Sequence, residues 1–132
     1  MILVDSSVWI DVLRDKTGSV VAAFEHYTAE DIVVFCRFIQ LELLQGAKDE
    51  FEWRKLDEYL STQYYLEMTE NSWRNASKLY FDLRRQGRTI SSPIDCCIAQ
   101  IAIESDAILL HIDQDFTVIA DVSPLKQQTF MF

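Results

Sequence analysis

Five carboxylates in this 132-residue chain stand beside apolar elements: Asp5, Glu42, Asp95, Asp113 and Asp115. Asp5 ends the apolar run Ile2-Leu3-Val4 and precedes a hydroxyl pair, Ser6-Ser7. Glu42 interrupts the apolar segment Phe38 to Leu44, where a carboxylate needs a partner, a cation or a route to water. Asp95 falls in the first turn of a helix opened by Ser92-Pro93, and Asp113 and Asp115 follow the apolar run Ala107 to Leu110. Each acid alone has an ordinary explanation. Asp5 reads equally well as a helix N-cap, Glu42 as a solvent-facing residue, and Asp115 as the start of a short helix over 116–120. Asp95, three residues after Ser92, completes a capping-box-like arrangement and gains from the helix dipole.

Their joint placement points further. In a right-handed parallel α/β sheet, strand ends and the following helix starts share one edge, and ligands bind there. Four or five carboxylates at one edge repel unless cations sit among them. Oxygen ligands without His or Cys favour a hard cation, Mg²⁺ or Mn²⁺. Such ions polarise a phosphoryl oxygen, acidify water and stabilise a leaving oxygen, which is the equipment of phosphodiester hydrolysis.

The elements that must position these acids can be read in order. Ile2-Leu3-Val4 predicts a first strand, followed by a helix with Val8, Trp9, Val12 and Leu13 at helical spacing. Lys16 to Ser19 is a turn, and Val20 to Tyr27 an amphipathic helix with Val20, Val21, Phe24 and Tyr27 inward. Ile32 to Phe35 predicts a second strand, and the helix after it closes at Gly46. A surface helix over 51–60 and a short strand over 64–66 come next. Thr69 caps a long helix with Trp73, Ala76, Leu79, Tyr80 and Leu83 on its stripe, ended by Gly87. After Ser92-Pro93, the residues Ile94, Ile98, Ile101 and Ala102 form a buried stripe up to the turn at Asp106. Ala107 to Leu110 is a buried strand, and the tail over 125–132 adds an edge strand.

Bulk properties set the class. Residues 1–132 read as one domain with a real core, 49% hydrophobic and 25% charged, with only 3 Gly and 2 Pro and therefore no linker. No apolar run approaches the roughly 20 residues that cross a bilayer, and the N-terminus lacks a basic leader. Three cysteines, two of them adjacent (Cys96 and Cys97), argue against a disulfide framework and for a reducing cytoplasm. Neither His26 nor His111 falls at a Cys/His zinc spacing, so both read as packing or surface residues. The net charge of −9 excludes a generic nucleic-acid coat and suits a basic protein partner. Arg84, Arg85 and Arg88 crowd the end of the long helix, either complementing its dipole or offering a patch to a phosphate backbone.

Four segments together resemble the PIN-domain family, specifically its VapC-type toxin ribonucleases: Ile2-Leu3-Val4-Asp5-Ser6-Ser7-Val8-Trp9-Ile10, Glu42-Leu43-Leu44-Gln45-Gly46, Pro93-Ile94-Asp95-Cys96-Cys97-Ile98-Ala99, and Leu109-Leu110-His111-Ile112-Asp113-Gln114-Asp115-Phe116. They occur in family order and span nearly the whole chain. The resemblance implies a three-layer α/β/α sandwich around a mainly parallel five-stranded sheet. It makes Asp5, Glu42, Asp95 and Asp113 the catalytic quartet, with Asp5, Asp95, Asp113 and the accessory Asp115 around Mg²⁺ or Mn²⁺. Ser6 becomes the hydroxyl that supports the first Asp. The implied activity is endonucleolytic hydrolysis of a transfer or ribosomal RNA loop to 5′-phosphate and 3′-hydroxyl ends. The implied partners are a second copy of the chain and a VapB-type antitoxin, an Arg of which could take a cation's place. Arg14, Arg84, Arg85 and Arg88 are candidates for backbone contact. His111 departs from the Thr or Ser usual in the family two residues before the fourth acid.

Two other readings compete. A housekeeping RNA-processing nuclease would share the fold, but the chain carries no appended RNA-binding domain. A non-catalytic module holding a cation for adhesion would use an Asp-x-Ser-x-Ser turn, whereas this chain has Asp5-Ser6-Ser7. A phosphoacceptor receiver domain fits less well, for want of an acidic pair after the first strand.

Overall fold

The computed structural model describes residues Met1–Phe132. Four strands form one parallel sheet: β1 (Ile2–Val4), β2 (Val33–Val34), β3 (Ile108–His111) and β4 (Lys126–Thr129), in the order β2-β1-β3-β4. Seven helices connect them: α1 (Ser6–Leu13), α2 (Ser19–Thr28), α3 (Arg37–Gln45), α4 (Glu50–Leu60), α5 (Glu70–Arg85), α6 (Pro93–Glu104) and α7 (Gln114–Ala120). The chain leaves β1 in one direction to reach β2 and returns past it to reach β3 and β4. With right-handed crossovers, that reversal places α1–α4 on one face of the sheet and α5–α7 on the other. The packing agrees: α1 touches α2 and α3, α3 touches α4, and α6 lies between α5 and α7.

The expected five-stranded sheet becomes four strands and one rung. Tyr65 bridges Phe35 in parallel beyond β2, with Phe35 N donating to Tyr64 O and Leu66 N to Phe35 O, both at 2.8 Å. Pairing stops there because the chain turns into the α5 cap, so the segment over 64–66 stays a bridge. The edge strand in the tail forms as expected.

Local chemistry sets the helix ends. Thr69 and Ser72 make a reciprocal capping box at the start of α5. Gly87, at φ 72°, lets Arg88 N reach back to Leu83 O (2.9 Å), a left-handed closure that a side chain would strain. Asp106 closes α6 in the same way at φ 52°, with Ala107 N on Ala102 O at 2.9 Å; a short polar side chain tolerates this region. Gly46 sits in ordinary right-handed backbone at φ −86°, so it ends α3 without using glycine's freedom.

One cluster of 28 buried residues forms the core, drawn from the strands and the inner faces of α1, α3, α5, α6 and α7. Leu3, Val4, Leu109 and Leu110 are fully enclosed between the helical layers. Trp9 stacks on Phe35 with ring centroids 5.1 Å apart. Three expected stripe residues lie outside the core: Leu13 is 54%, Trp73 56% and Ile94 41% exposed, and the last two line a surface groove between α3, α5 and α6 with Phe38 and Pro93.

Leu110 pairs with Val4 in the central ladder and precedes the acidic loop. Leu110→Ala should lower the unfolding free energy by about 2–5 kcal/mol in urea titrations, through lost burial and a cavity. A loss below about 1 kcal/mol would contradict the close packing of this strand end.

Candidate active site

The strand reversal between β1 and β3 creates a crevice at their carboxyl ends, and the acids gather there. Asp5 N donates to Leu110 O at 2.9 Å, so the first acid continues the β1–β3 ladder and is fixed beside the last core strand. Asp5 also caps α1, so the two readings of this residue hold together. Asp113 likewise caps α7 by accepting from Asp115 N at 2.9 Å. Asp95 stands in the first turn of α6 behind the Ser92 cap, with Pro93 in the position where a missing N–H costs nothing. Instead of bonding back to the cap, the Asp95 carboxyl turns to Asp115. Carboxylate oxygens of Asp95, Asp113 and Asp115 lie within 4.8 Å of one another.

Glu42 arrives from the opposite layer. It projects from α3 with Oε1 buried and without a hydrogen-bond partner. Burial and the charge of Asp5 both push its carboxyl up, and the Ser6 hydroxyl works against them. Asp5 is 5% exposed; burial raises its pKa, opposed by hydrogen bonds from the Ser7 hydroxyl and N–H. Asp95 is pushed up to about 7 by burial first, then by the charge of Asp113 and by Asp115. For Asp115, burial also raises the pKa, but hydrogen bonds from Ser91 and from Asp95 outweigh it and the net direction is down. The charges of Asp113, Asp115 and Asp5 all act on Asp95, so a proton there relieves repulsion.

The supporting hydroxyl differs from expectation. Ser7, not Ser6, donates to Asp5 (Oγ to Oδ2, 2.6 Å) and also accepts from Ile112 N at 3.3 Å, tying the first acid to the loop of the fourth. An Asp at a helix N-cap reaches the N–H two residues on, here Ser7 N at 3.2 Å, and so brings that residue's hydroxyl within range. Ser6 is one residue nearer and turns to Glu42 instead. Ser91 was not anticipated at all: its N–H (2.9 Å) and its hydroxyl both donate to Asp115 Oδ2 from 24 residues away. The Asp-x-Ser spacing could have revealed Ser7, whereas nothing in the sequence pairs Ser91 with Asp115.

His111 is a core residue, with Nε2 2.7 Å from Gln127 Oε1 and its ring tilted against Phe116. Cys36, Cys96 and Cys97 are free and buried, as their packing role requires. The arginines separate. Arg14 is the C-cap of α1, at the opposite end of that helix from Asp5. Arg84 and Arg85 are exposed on the last turn of α5. Arg88 is engaged with Asp121 at 3.0 Å, an ion pair that ties the α5–α6 loop to α7.

The carboxylate oxygens of Asp95, Asp113 and Asp115 fit a hard divalent cation, and the unpartnered Oε1 of Glu42 lies outside that close group. An apolar cavity or a set of neutral donors would not place such mutual repulsion in a protected crevice.

The PIN domain family model matches residues 2–122. The chain is 34% identical, over 134 aligned positions, to "VapC ribonuclease Mb1587" of Mycobacterium bovis and to "Ribonuclease VapC11" of Mycobacterium tuberculosis; each alignment covers 98% of this chain and 99% of the relative. Among solved structures, VapBC2 from Rickettsia felis bound to a promoter DNA fragment superposes with a TM-score of 0.79 at 19% identity, over 99% of this chain and 100% of that one. VapBC-1 from nontypeable Haemophilus influenzae gives 0.75 at 21% identity, over 98% of each chain.

The raised Asp95 has a consequence for stability. Between about pH 4 and pH 7 the folded, metal-free protein holds a proton on Asp95 that the unfolded chain has released, so its penalty is absent below about pH 4, grows across that window and is complete above about pH 7. Asp95→Asn should therefore raise the Tm in chelator clearly at about pH 8 and little at about pH 4. Equal shifts at both values, or a lower Tm at pH 8, would contradict the coupling. The fold, the whole-length relatives and the converging acids agree: this chain belongs to the PIN-domain family, in its VapC ribonuclease branch.

Proposed function

We propose that this chain is the toxin of a toxin–antitoxin pair, a single PIN domain over 1–132 that acts in the cytoplasm as a metal-dependent endoribonuclease. The observation that carries the reading is the carboxylate cluster at the β1–β3 reversal, with three side chains within 4.8 Å and the Glu42 oxygen buried without a partner. The relatives are VapC ribonucleases matched over nearly the whole of both chains, which supports ribonuclease activity. Structural neighbours that are VapBC complexes support a VapB-type antitoxin as partner. A second copy of this chain is the other partner in this reading.

Asp5, Glu42, Asp95 and Asp113 form the catalytic quartet. Asp5, Asp95, Asp113 and Asp115 hold Mg²⁺, with Mn²⁺ able to replace it. The bound cation supplies Lewis acidity at the scissile phosphate and lowers the pKa of water. Asp5 is fixed by its backbone in the ladder and by Ser7, so it offers a preformed anchor. Ser91 keeps Asp115 ionised and oriented toward Asp95. Glu42 is the acid suited to take a proton from water, since its raised pKa brings it nearer neutrality and Oε1 is uncommitted. The products are a 5′-phosphate and a 3′-hydroxyl.

A structured RNA with an exposed loop is the substrate, since unpaired bases can be splayed into a crevice and duplex ones cannot. A ribosomal RNA loop or a transfer RNA loop is the substrate in this reading; VapC20 of Mycobacterium tuberculosis, which shares the fold at 17% identity, is a "Sarcin-Ricin loop cleaving toxin". Arg14, Arg84 and Arg85 offer contacts to the backbone, and Arg88 serves first as the tether to Asp121.

Purified protein incubated with total RNA and Mg²⁺ should generate a few discrete new 5′-phosphate ends. Asp5→Asn should reduce their formation by about a hundredfold or more, and EDTA should abolish it until Mg²⁺ or Mn²⁺ is restored. Undiminished cleavage by Asp5→Asn protein, or in chelator, would refute the assignment. Soluble wild-type protein that makes no new ends would shift the reading to the non-catalytic cation-holding module.

A further inference from the structure

The outward face of α5 carries charge unlike the rest of the chain. Residues 70–88 hold five of the twelve Lys and Arg against two acids, while elsewhere nineteen acids face seven bases. Helical spacing sorts them. Ser72, Ala76 and Leu83 are buried on the side packed against α6. Arg74, Lys78, Phe81 and Arg85 recur at intervals of three and four on the other side, with Arg84 flanking Phe81, and all five are exposed. Arg74, Lys78, Phe81 and Arg84 line a shallow groove of about 760 Å³.

Phe81 is 44% exposed in the middle of this cationic stripe, with Lys78 Nζ 5.4 Å and Arg85 Cζ 5.9 Å from its ring centroid. Lys78 shares its charge with Asp82 at 2.5 Å, and Arg74, Arg84 and Arg85 have no carboxylate partner. Cations that follow a backbone around an aromatic ring that accepts a base are the two components of single-strand recognition. On a chain of net charge −9, this stripe is where a polyanion meets attraction. It also leads to the acids: α5 closes at Gly87, and the short loop beyond it ends at Ser91, which holds Asp115.

We propose that the outward face of α5, through Arg74, Lys78, Phe81, Arg84 and Arg85, binds the single-stranded RNA segment flanking the phosphate that enters the acid cluster. The inference rests on the ribonuclease reading and adds the path of the strand. Charge neutralisation by the cations supplies attraction without sequence preference, and Phe81 stacks on one base. Arg88, spent on Asp121, contributes little.

The test uses the full chain carrying Asp5→Asn, with Mg²⁺ and a fluorescein-labelled, mixed-sequence single-stranded RNA oligonucleotide, read by fluorescence anisotropy over a range of NaCl concentrations. Adding Arg74→Gln, Lys78→Gln and Arg84→Gln together should weaken binding about tenfold or more at low salt and make the log K against log salt slope shallower by about 2. Phe81→Leu should weaken binding about fivefold or more and leave that slope unchanged. Unchanged affinity and slope in variants with wild-type circular dichroism would overturn the inference. So would variants that bind RNA normally but lose a dimer in sedimentation, which would assign the face to a second copy of the chain. Wild-type protein tested beside them separates the two claims. If it cleaves RNA while the variants bind normally, only the α5 path falls; if it neither binds nor cleaves RNA, the ribonuclease reading falls and takes the path with it.

Discussion

Like charges held close together in a partly dry crevice are the constraint around which this molecule is arranged. Asp95, Asp113 and Asp115 share a space of less than 5 Å, with Asp5 and Glu42 close enough to feel them. Folding alone would not gather such a set, since each added carboxylate raises the pKa of its neighbours and penalises the compact state. The surrounding structure answers this in two ways. Backbone and hydroxyl donors (Ser7 on Asp5, Ser91 on Asp115) favour the ionised forms locally. Asp95 takes up a proton near neutrality when no cation is present.

The scaffold explains how the crevice withstands that cost. Leu3, Val4, Leu109 and Leu110 are enclosed on both faces, so the two strand ends that present Asp5 and Asp113 belong to the most protected part of the core. Asp5 and Asp113 each cap the helix they precede, so the same carboxylate sets a helix start and faces the crevice. Glu42 comes from the layer of α1–α4 and Asp95 from the layer of α5–α7, which means the site exists only when both layers are docked. The reversal of strand order at β1 and β3 is therefore what turns five scattered acids into one site.

Much of this was legible in the sequence because the signals were local. The Ser92-Pro93 start, the Thr69 cap, the Gly87 stop and the apolar run before Asp113 each fix an element within a few residues. The acids were found because each one breaks or borders an apolar pattern, Glu42 most plainly. What was not legible depends on pairs distant in the chain. Ser91 and Asp115 are 24 residues apart and Arg88 and Asp121 are 33, and no periodicity connects them. Ser7 takes the supporting role expected of Ser6 because an N-cap carboxylate reaches the second residue beyond it. Trp73 and Ile94 have the spacing of core residues and still lie at the surface, because spacing shows which side of a helix is apolar but not how far the neighbouring layer extends.

Cation binding, measured apart from cleavage, tests the central claim most directly. Mn²⁺ titrated into purified protein near neutral pH and followed by electron paramagnetic resonance should show saturable loss of the free-ion signal, displaced by Mg²⁺ and largely abolished in Asp113→Asn. Protein that leaves the free Mn²⁺ signal unchanged, or binds as well after Asp113→Asn, would mean that these carboxylates do not form a metal centre.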